Sequence, residues 1–204
     1  QGGTGFIVIQ KKFLKKIREK CNKTGALLIF DEIQTCYGRL GTLFGFEKFN
    51  INPDILCIAK GMGAGMPIGA FISSWSIMNT LTFEPTLGHI TTFGGHPVNC
   101  AASLACLKHL NSSDIMGKID EKEKLFRKHL QHKKIKEIRG NGLILSVELG
   151  NEILTKKVVE KSLENGLILF YFLFTKTCFR ITPPLTISSD EIIKGCKIIT
   201  NALD

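Results

Sequence analysis

Residues 54–70 of the 204-residue chain read DILCIAKGMGAGMPIGA, an apolar run that ends at Lys60 and continues into a glycine-rich turn. The apolar part, residues 55–59, is typical of a strand buried in a parallel sheet. Another apolar run, residues 68–73, follows the turn and predicts a further strand. A lysine directly after a buried strand suggests an amine held in a partly desolvated pocket, where its pKa falls and it becomes nucleophilic.

A similar arrangement occurs upstream, where the apolar run over residues 26–30 ends in Asp31 and Glu32. This run also predicts a strand buried on both faces, and a helix over residues 11–23 precedes it. Strands alternating with helices predict an α/β architecture, in which ligands bind outside the carboxyl ends of the strands. If the two strands are neighbours, Asp31 and Lys60 converge on one crevice.

The composition becomes polar near residues 111–114, and we place a domain boundary there. Residues 1–113 are expected to form part of a large domain with a mostly parallel sheet, and residues 114–204 a small α+β domain. The periodicity predicts helices over residues 97–110, 115–132, 154–165 and from 189 onwards, and strands over residues 135–138, 143–149, 167–172 and 178–181.

Composition limits the classes of partner. The net charge is +9, but the lysines at 11–16 and 133–136 lie on predicted amphipathic helices or next to turns, as on solvated faces, so we expect no nucleic-acid partner. No apolar stretch approaches the roughly 20 residues of a membrane helix, so we expect no membrane span. The 7 cysteines form no C-x-x-C pair and indicate free thiols in a reducing, cytoplasmic compartment. The start at Gln1 suggests a piece of a longer protein.

Taken alone, each of these residues also has a purely structural explanation. Asp31 could cap a helix and Lys60 could be a solvated lysine, and only their combination favours a catalytic site. No G-x-x-x-x-G-K-[ST] phosphate loop occurs in the 204 residues. The dinucleotide-binding motif G-x-G-x-x-G does not fit the glycines that start at Gly61, because its last position is occupied by Met66. His89 and His96 lack a cysteine or carboxylate at ligand spacing, so no metal site is predicted.

Four motifs occur in the order in which one enzyme family carries them. DEIQTCYGRLG at 31–41 is similar to D-E-[VI]-Q-T-G-x-G-R-x-G, and residues 53–70 are similar to P-D-[IL]…A-K-G-x-G-x-G-x-P-[IL]-[GS]-A. HITTFGGHP at 89–97 is similar to H-G-[ST]-T-[YF]-G-G-N-P, and residues 180–185 to R-x-x-P-P-L. The chain therefore resembles the class III aminotransferases of pyridoxal-phosphate fold type I, most closely their acetylornithine/ornithine branch, over nearly its whole length.

The resemblance implies roles for three residues at the strand ends, with pyridoxal 5′-phosphate as cofactor. Asp31 would pair with the protonated pyridine nitrogen and Gln34 would hydrogen-bond the phenolic oxygen. Lys60 would bind the cofactor covalently and, once displaced by substrate, move a proton between the substrate Cα and the cofactor. Asp31 and Lys60 are the predicted catalytic residues.

The resemblance also implies contacts beyond these strands. Thr92, with Thr91 beside it, would bind the cofactor phosphate of the neighbouring subunit, so a homodimer is expected. Arg180 would bind a substrate carboxylate, for which the guanidinium geometry is suited. The opening QGGTG is similar to Q-G-E-[GA]-G, in which a glutamate covers the carboxylate-binding arginine in many relatives, and here Gly3 takes its place.

The reaction predicted from this resemblance is transamination of an N-acylated diamino acid such as acetylornithine, with 2-oxoglutarate as acceptor. Ornithine, 4-aminobutyrate and succinyl-diaminopimelate remain alternative donors, and an intramolecular aminomutase is a sister chemistry. An inactive fragment with a binding role is the alternative from another class. Cys36, Ile90 and His96 depart from the residues usual at their motif positions, which are Gly, Gly and Asn.

Overall fold

The computed structural model describes residues 1–86 and 89–204, which divide into two compact units. We name them after the candidate site residues that they contain. The lysine unit comprises Gln10–Gly38 and Thr42–Asp114, and the arginine unit comprises Gln1–Ile9, Arg39–Gly41 and Ile115–Asp204.

The lysine unit is a three-stranded sheet with helices. Strand β2 is central, pairing with β1 in parallel and with β3 in antiparallel orientation. Short 3-10 helices follow β2 and also occur between β1 and β2 and after α2. The helices and strands of this unit are α1 (Lys11–Thr24), β1 (Ile29–Asp31), β2 (Ile55–Ile58), β3 (Ala70–Ser73), α2 (Trp75–Met78) and α3 (Pro97–Ser112).

Asp54 fixes the start of the two parallel strands. Its carboxylate accepts hydrogen bonds from the backbone of Leu28 at 2.6 Å and from the guanidinium of Arg18 in α1 at 2.7 Å. The Leu28 amide and the Arg18 guanidinium together lower the pKa of the Asp54 carboxyl, so the group stays ionised. Asp54 therefore connects α1, β1 and β2.

Two sequence expectations for this sheet differ from the structure. Strand β3 is antiparallel, because the connection over residues 59–69 is shorter than the roughly twelve residues that a parallel crossover needs. The expected burial of the first strand on both faces is wrong for this chain: Leu28 is buried, but Leu27 is 51% and Ile29 56% exposed. The described residues cover only one face of β1.

The arginine unit is a four-stranded antiparallel sheet with helices packed on it, in the strand order β4-β5-β7-β6. Its core is mainly apolar, and Phe179 of β7 and Leu145 of β5 are inaccessible to solvent. Its helices and strands are α4 (Ile119–His129), β4 (Glu137–Asn141), β5 (Ile144–Glu148), α5 (Glu152–Glu164), β6 (Phe170–Tyr171), β7 (Cys178–Ile181) and α6 (Ser189–Leu203).

The division between the units is not a single point along the chain. The sequence predicted one boundary after residue 113, whereas Gln1–Ile9 and Arg39–Gly41 lie in the arginine unit. The Arg39 guanidinium donates hydrogen bonds to the carbonyl of Leu143 at 3.3 Å and to that of Pro183 at 2.5 Å. These long-range bonds hold Arg39–Gly41, the end of the motif at 31–41, in the arginine unit.

The described residues, 1–86 and 89–204, contain neither a candidate membrane span nor a candidate metal-binding cluster. None of their helices combines the length and the apolar character that a membrane span requires. Their His, Cys, Asp and Glu side chains form no group of three or more that could hold a metal ion.

Candidate active site

Asp31 and Lys60 lie at the same edge of the sheet. Asp31 is the last residue of β1 and lies opposite Cys57 in the parallel strand β2. The backbone amide of Glu32 donates to the carbonyl of Cys57 at 2.9 Å, which continues the pairing one step further. Lys60 follows Cys57 by three residues, about 10 Å along an extended strand at most. Both side chains are exposed, so an amine and a carboxylate share one accessible edge.

Glu32 holds the turn that follows Asp31. Its carboxylate, only 4% exposed, accepts hydrogen bonds from the hydroxyl of Thr35 at 2.9 Å and from the backbone amides of Gly45 and Phe46 at 2.5 and 2.6 Å. Asp31 accepts one bond in this turn, from the amide of Ile33 at 3.0 Å. Sequence reasoning assigned no role to Glu32, although a second acid directly after an apolar strand was the available signal.

The backbone of Lys60 adopts a left-handed conformation, with φ of 46°. This conformation costs a non-glycine residue about 1–2 kcal/mol and persists where the surroundings enforce it. Two glycines of the loop lie close to neighbouring side chains: a Cβ at Gly61 would lie 3.2 Å from the Cβ of Tyr37, and one at Gly63 would lie 3.0 Å from Ile68, so each neighbour would have to shift slightly. These glycines therefore permit the close packing that supports Lys60.

The other predicted cofactor-binding residues also belong to the lysine unit. Gln34 is half-buried in the turn after Asp31. Thr91 and Thr92 are exposed directly before α3, where the Thr91 hydroxyl occupies the space that a Cβ at Gly94 would need. The site residues of this unit thus comprise the sheet-edge group of Asp31, Gln34 and Lys60 and an exposed pair of hydroxyls.

Arg180 lies in β7 of the arginine unit and is bordered by aromatic rings. Its guanidinium carbon is 5.4 Å from the ring centre of Phe170 and 5.9 Å from that of Phe172, both within cation–π range. Its Nε is buried and has no hydrogen-bond partner among the described residues. Ser146, opposite Arg180 in β5, also has a buried hydroxyl without such a partner. Sequence reasoning missed Ser146, because only strand register brings it beside Arg180.

Gly3 lies beside the segment that supplies these rings. The amide of Phe174 donates to the carbonyl of Gly3 at 3.1 Å, and a Cβ at position 3 would lie 2.9 Å from the Phe174 ring. Phe174 is largely exposed, so its ring can move to admit a longer side chain. A substitution at Gly3 would therefore act close to the aromatic surroundings of Arg180.

Residues 1–203 match the family described as aminotransferase class-III. The chain is 39% identical over 209 residues to the acetylornithine aminotransferase of Clostridium acetobutylicum, covering 100% of this chain and 52% of that protein. It is 34% identical over 214 residues to the putrescine aminotransferase of Pectobacterium atrosepticum, covering 100% of this chain and 46% of that protein. The chain thus spans about half the length of the curated relatives that it matches.

Solved structures of related enzymes have the same fold. The ornithine aminotransferase from Toxoplasma gondii, which has pyridoxal phosphate partly occupying its active site, is 32% identical with a TM-score of 0.89. The whole of the present chain aligns with 48% of that enzyme's chain. The ornithine delta-aminotransferase of Plasmodium falciparum is 28% identical, with a TM-score of 0.90. The whole of the present chain aligns with 54% of that enzyme's chain. The fold class predicted from the sequence is confirmed.

Proposed function

This chain belongs to the class-III aminotransferase family, and from that premise we propose that it forms the C-terminal half of a pyridoxal-phosphate-dependent transaminase. The proposed donor is an N-acylated diamino acid such as acetylornithine, and the proposed acceptor is 2-oxoglutarate. One observation supports the proposal above the others: an exposed carboxylate and an exposed amine, Asp31 and Lys60, lie at the carboxyl ends of adjacent parallel strands at one sheet edge.

The donor set at this edge fits pyridoxal 5′-phosphate. The Lys60 amine is the group that an aldehyde requires, and the Asp31 carboxylate is an acceptor for a protonated ring nitrogen. Gln34, in the same turn as Asp31, carries an amide that can donate to a phenolic oxygen. When bound, the cofactor supplies an electron sink for the carbanion left when a substrate Cα loses its proton.

Asp31 and Lys60 would then have separate roles. The Asp31 carboxylate would accept a hydrogen bond from the ring nitrogen and so hold a proton there. Lys60 would bind the cofactor through its amine and, when substrate replaces it, would take the proton from the substrate Cα as a general base. Its enforced left-handed backbone would fix the direction from which the amine acts, which is the kind of orientation that lowers a barrier.

Thr91 and Thr92 are proposed to bind the phosphate of the cofactor held by a second subunit. Their exposure leaves both hydroxyls available to a partner molecule. A homodimer follows from this proposal, and the free thiols of all seven cysteines agree with a reducing, cytoplasmic location.

Arg180 is proposed to bind the carboxylate of the amino donor and of the 2-oxo acid. A guanidinium close to two aromatic rings and with an unpartnered buried Nε is a donor set suited to a carboxylate, since a buried unsatisfied donor costs about 1–3 kcal/mol. Glycine at position 3 cannot cover this charge as a glutamate would. Arg180 would therefore stay open in both half-reactions and favour donors that bring a carboxylate to it.

A donor panel measured on the full-length protein tests this choice of substrate. We expect kcat/KM to favour acylated or succinylated donors over ornithine and 4-aminobutyrate by roughly 10- to 150-fold, the value of one charge-assisted hydrogen bond. Arg180→Met should weaken the preferred donor and 2-oxoglutarate together. Lys176→Met, which removes an exposed positive charge from the same unit, serves as the control and should leave both unchanged.

The Gly3→Glu variant completes the panel. A glutamate at this position should reduce the kcat/KM advantage of acylated and succinylated donors over ornithine and 4-aminobutyrate. It can pair with Arg180 and so compete with the donor carboxylate. A wild-type preference for ornithine or 4-aminobutyrate that Gly3→Glu leaves unchanged would show that Gly3 does not set specificity and that the proposed donor is wrong.

A further inference from the structure

Three side-chain donors hold the backbone on both sides of Lys60. The thiol of Cys36 donates to the carbonyl of Ala59 at 3.6 Å, and the thiol of Cys106 donates to the carbonyl of Gly61 at 3.6 Å. The amide of Asn99 donates to the carbonyl of Pro67 at 2.6 Å, at the far end of the same loop. Sulfur is large and a weak donor, so the two thiol contacts are individually weaker than the amide contact.

Two of these donors come from one face of α3. Asn99 and Cys106 are seven residues apart, which is two turns of an α-helix, so both point toward the loop over residues 59–69. Asn99 is only 8% exposed and is one of few polar residues buried in this unit. The Asn99 amide thus ties α3 to the loop, and its removal would break this hydrogen bond.

The third donor comes from the turn after β1. Cys36 stands where the family motif has glycine, and its side chain is only 4% exposed beneath the loop. Burial raises the pKa of the Cys36 thiol, and the neighbouring charge of Glu32 raises it further. Burial also raises the pKa of Cys106. Both thiols are therefore protonated at neutral pH and can act as donors.

These contacts anchor the backbone on either side of Lys60, the residue with the left-handed conformation. The carbonyl of Ala59 also accepts from the amide of Met62 at 3.0 Å, and that of Gly61 from the amide of Ala64 at 3.3 Å. The short turn thus closes on itself, and the side-chain donors anchor it to α3 and to the turn after Asp31. A left-handed conformation at a non-glycine residue requires such external support.

We infer that Cys36, Asn99 and Cys106 are positioning residues for Lys60, which fix its backbone and so aim its amine toward the sheet edge that Asp31 also faces. The inference rests on the proposed role of Lys60 as the cofactor-binding amine. It adds residues outside the cofactor contacts, two of them on a helix that otherwise carries none of the proposed chemistry. It predicts that their loss weakens cofactor attachment without unfolding the protein.

The test compares four alanine variants of the full-length protein: Cys36→Ala, Asn99→Ala, Cys106→Ala and the control Cys100→Ala. Cys100 is an exposed cysteine on the same helix. The measurements are the dissociation constant for pyridoxal 5′-phosphate, the pH at which the absorbance of the Lys60-bound cofactor changes, and the thermal unfolding midpoint.

We expect Asn99→Ala to raise the dissociation constant about tenfold, equivalent to about 1.4 kcal/mol, and each thiol variant to raise it less. All three should shift the pH of the absorbance change, while Cys100→Ala should match wild type. Cys36→Ser and Cys106→Ser retain a donor and should lie closer to wild type than the alanine variants. The unfolding midpoint shows that each variant is folded at the assay temperature.

The possible failures are distinguishable. If wild type attaches no cofactor at Lys60, the proposed function is wrong and the inference falls with it. If wild type attaches cofactor at Lys60 but folded Asn99→Ala has the same dissociation constant and the same absorbance pH, the positioning role is wrong and the proposed function stands. An equal loss in Cys100→Ala would also overturn the inference, because the effect would then be unspecific.

Discussion

Replacing Asp31 with alanine in the full-length protein should lower kcat by several orders of magnitude. The carboxylate supplies the charge that would keep a proton on the ring nitrogen, and without it the electron sink weakens. A thousandfold fall in kcat corresponds to about 4 kcal/mol of lost transition-state stabilisation. The fold should survive, since Asp31 is exposed and its carboxylate accepts one bond, from the amide of Ile33.

Asp31→Asn separates charge from turn structure. Its amide oxygen can still accept from the amide of Ile33, so the turn is retained while the negative charge is lost. We expect Asp31→Asn to be nearly as impaired as Asp31→Ala when kcat is measured with saturating cofactor. Near-normal turnover in either variant would show that Asp31 does not have the proposed role.

The 204-residue chain by itself should show no transaminase turnover, even with added cofactor. Among the described residues β1 pairs only with β2, which leaves one edge of its backbone groups open. Leu27 and Ile29 beside that edge are exposed, as are Phe71 and Ile72 of β3. Such apolar surface is typical of a unit that requires further polypeptide to cover it, and poor solubility is an expected consequence.

Turnover and oligomeric state measured together test this expectation. The chain is purified, its mass in solution is determined, and its activity is compared with that of the full-length protein under the same conditions. Robust turnover by a monomeric 204-residue chain would overturn both the half-enzyme proposal and the dimer-borne role of Thr92.

Local patterns predicted most of the secondary structure. The run at 178–181 coincides with β7, and the run at 55–59 exceeds β2 by one residue, because apolar runs bounded by turns are strong strand signals. Longer-range features were not predictable. The antiparallel pairing of β3 and the place of Arg39–Gly41 in the arginine unit depend on tertiary contacts between residues distant in sequence.

In the candidate site, too, local features were predictable from the sequence and long-range contacts were not. The placement of Asp31 and Lys60 at one sheet edge was predictable, since the carboxyl ends of neighbouring parallel strands meet at the same edge. The contacts of Cys36 and Cys106 with the carbonyls on either side of Lys60 were not predictable, because the thiols lie 23 and 45 residues from those carbonyls. No periodicity or motif links residues at such separations, and only the folded chain brings them together.

Chemical mapping of the cofactor attachment site tests the central proposal most directly. The full-length protein is loaded with pyridoxal 5′-phosphate, reduced with borohydride, digested, and its peptides are identified by mass spectrometry, with Lys60→Ala as the matched control. We predict a yellow protein in which the reduced cofactor is on Lys60 and from which the adduct is lost in Lys60→Ala. A reduced adduct on any other lysine of the wild-type protein would contradict the account.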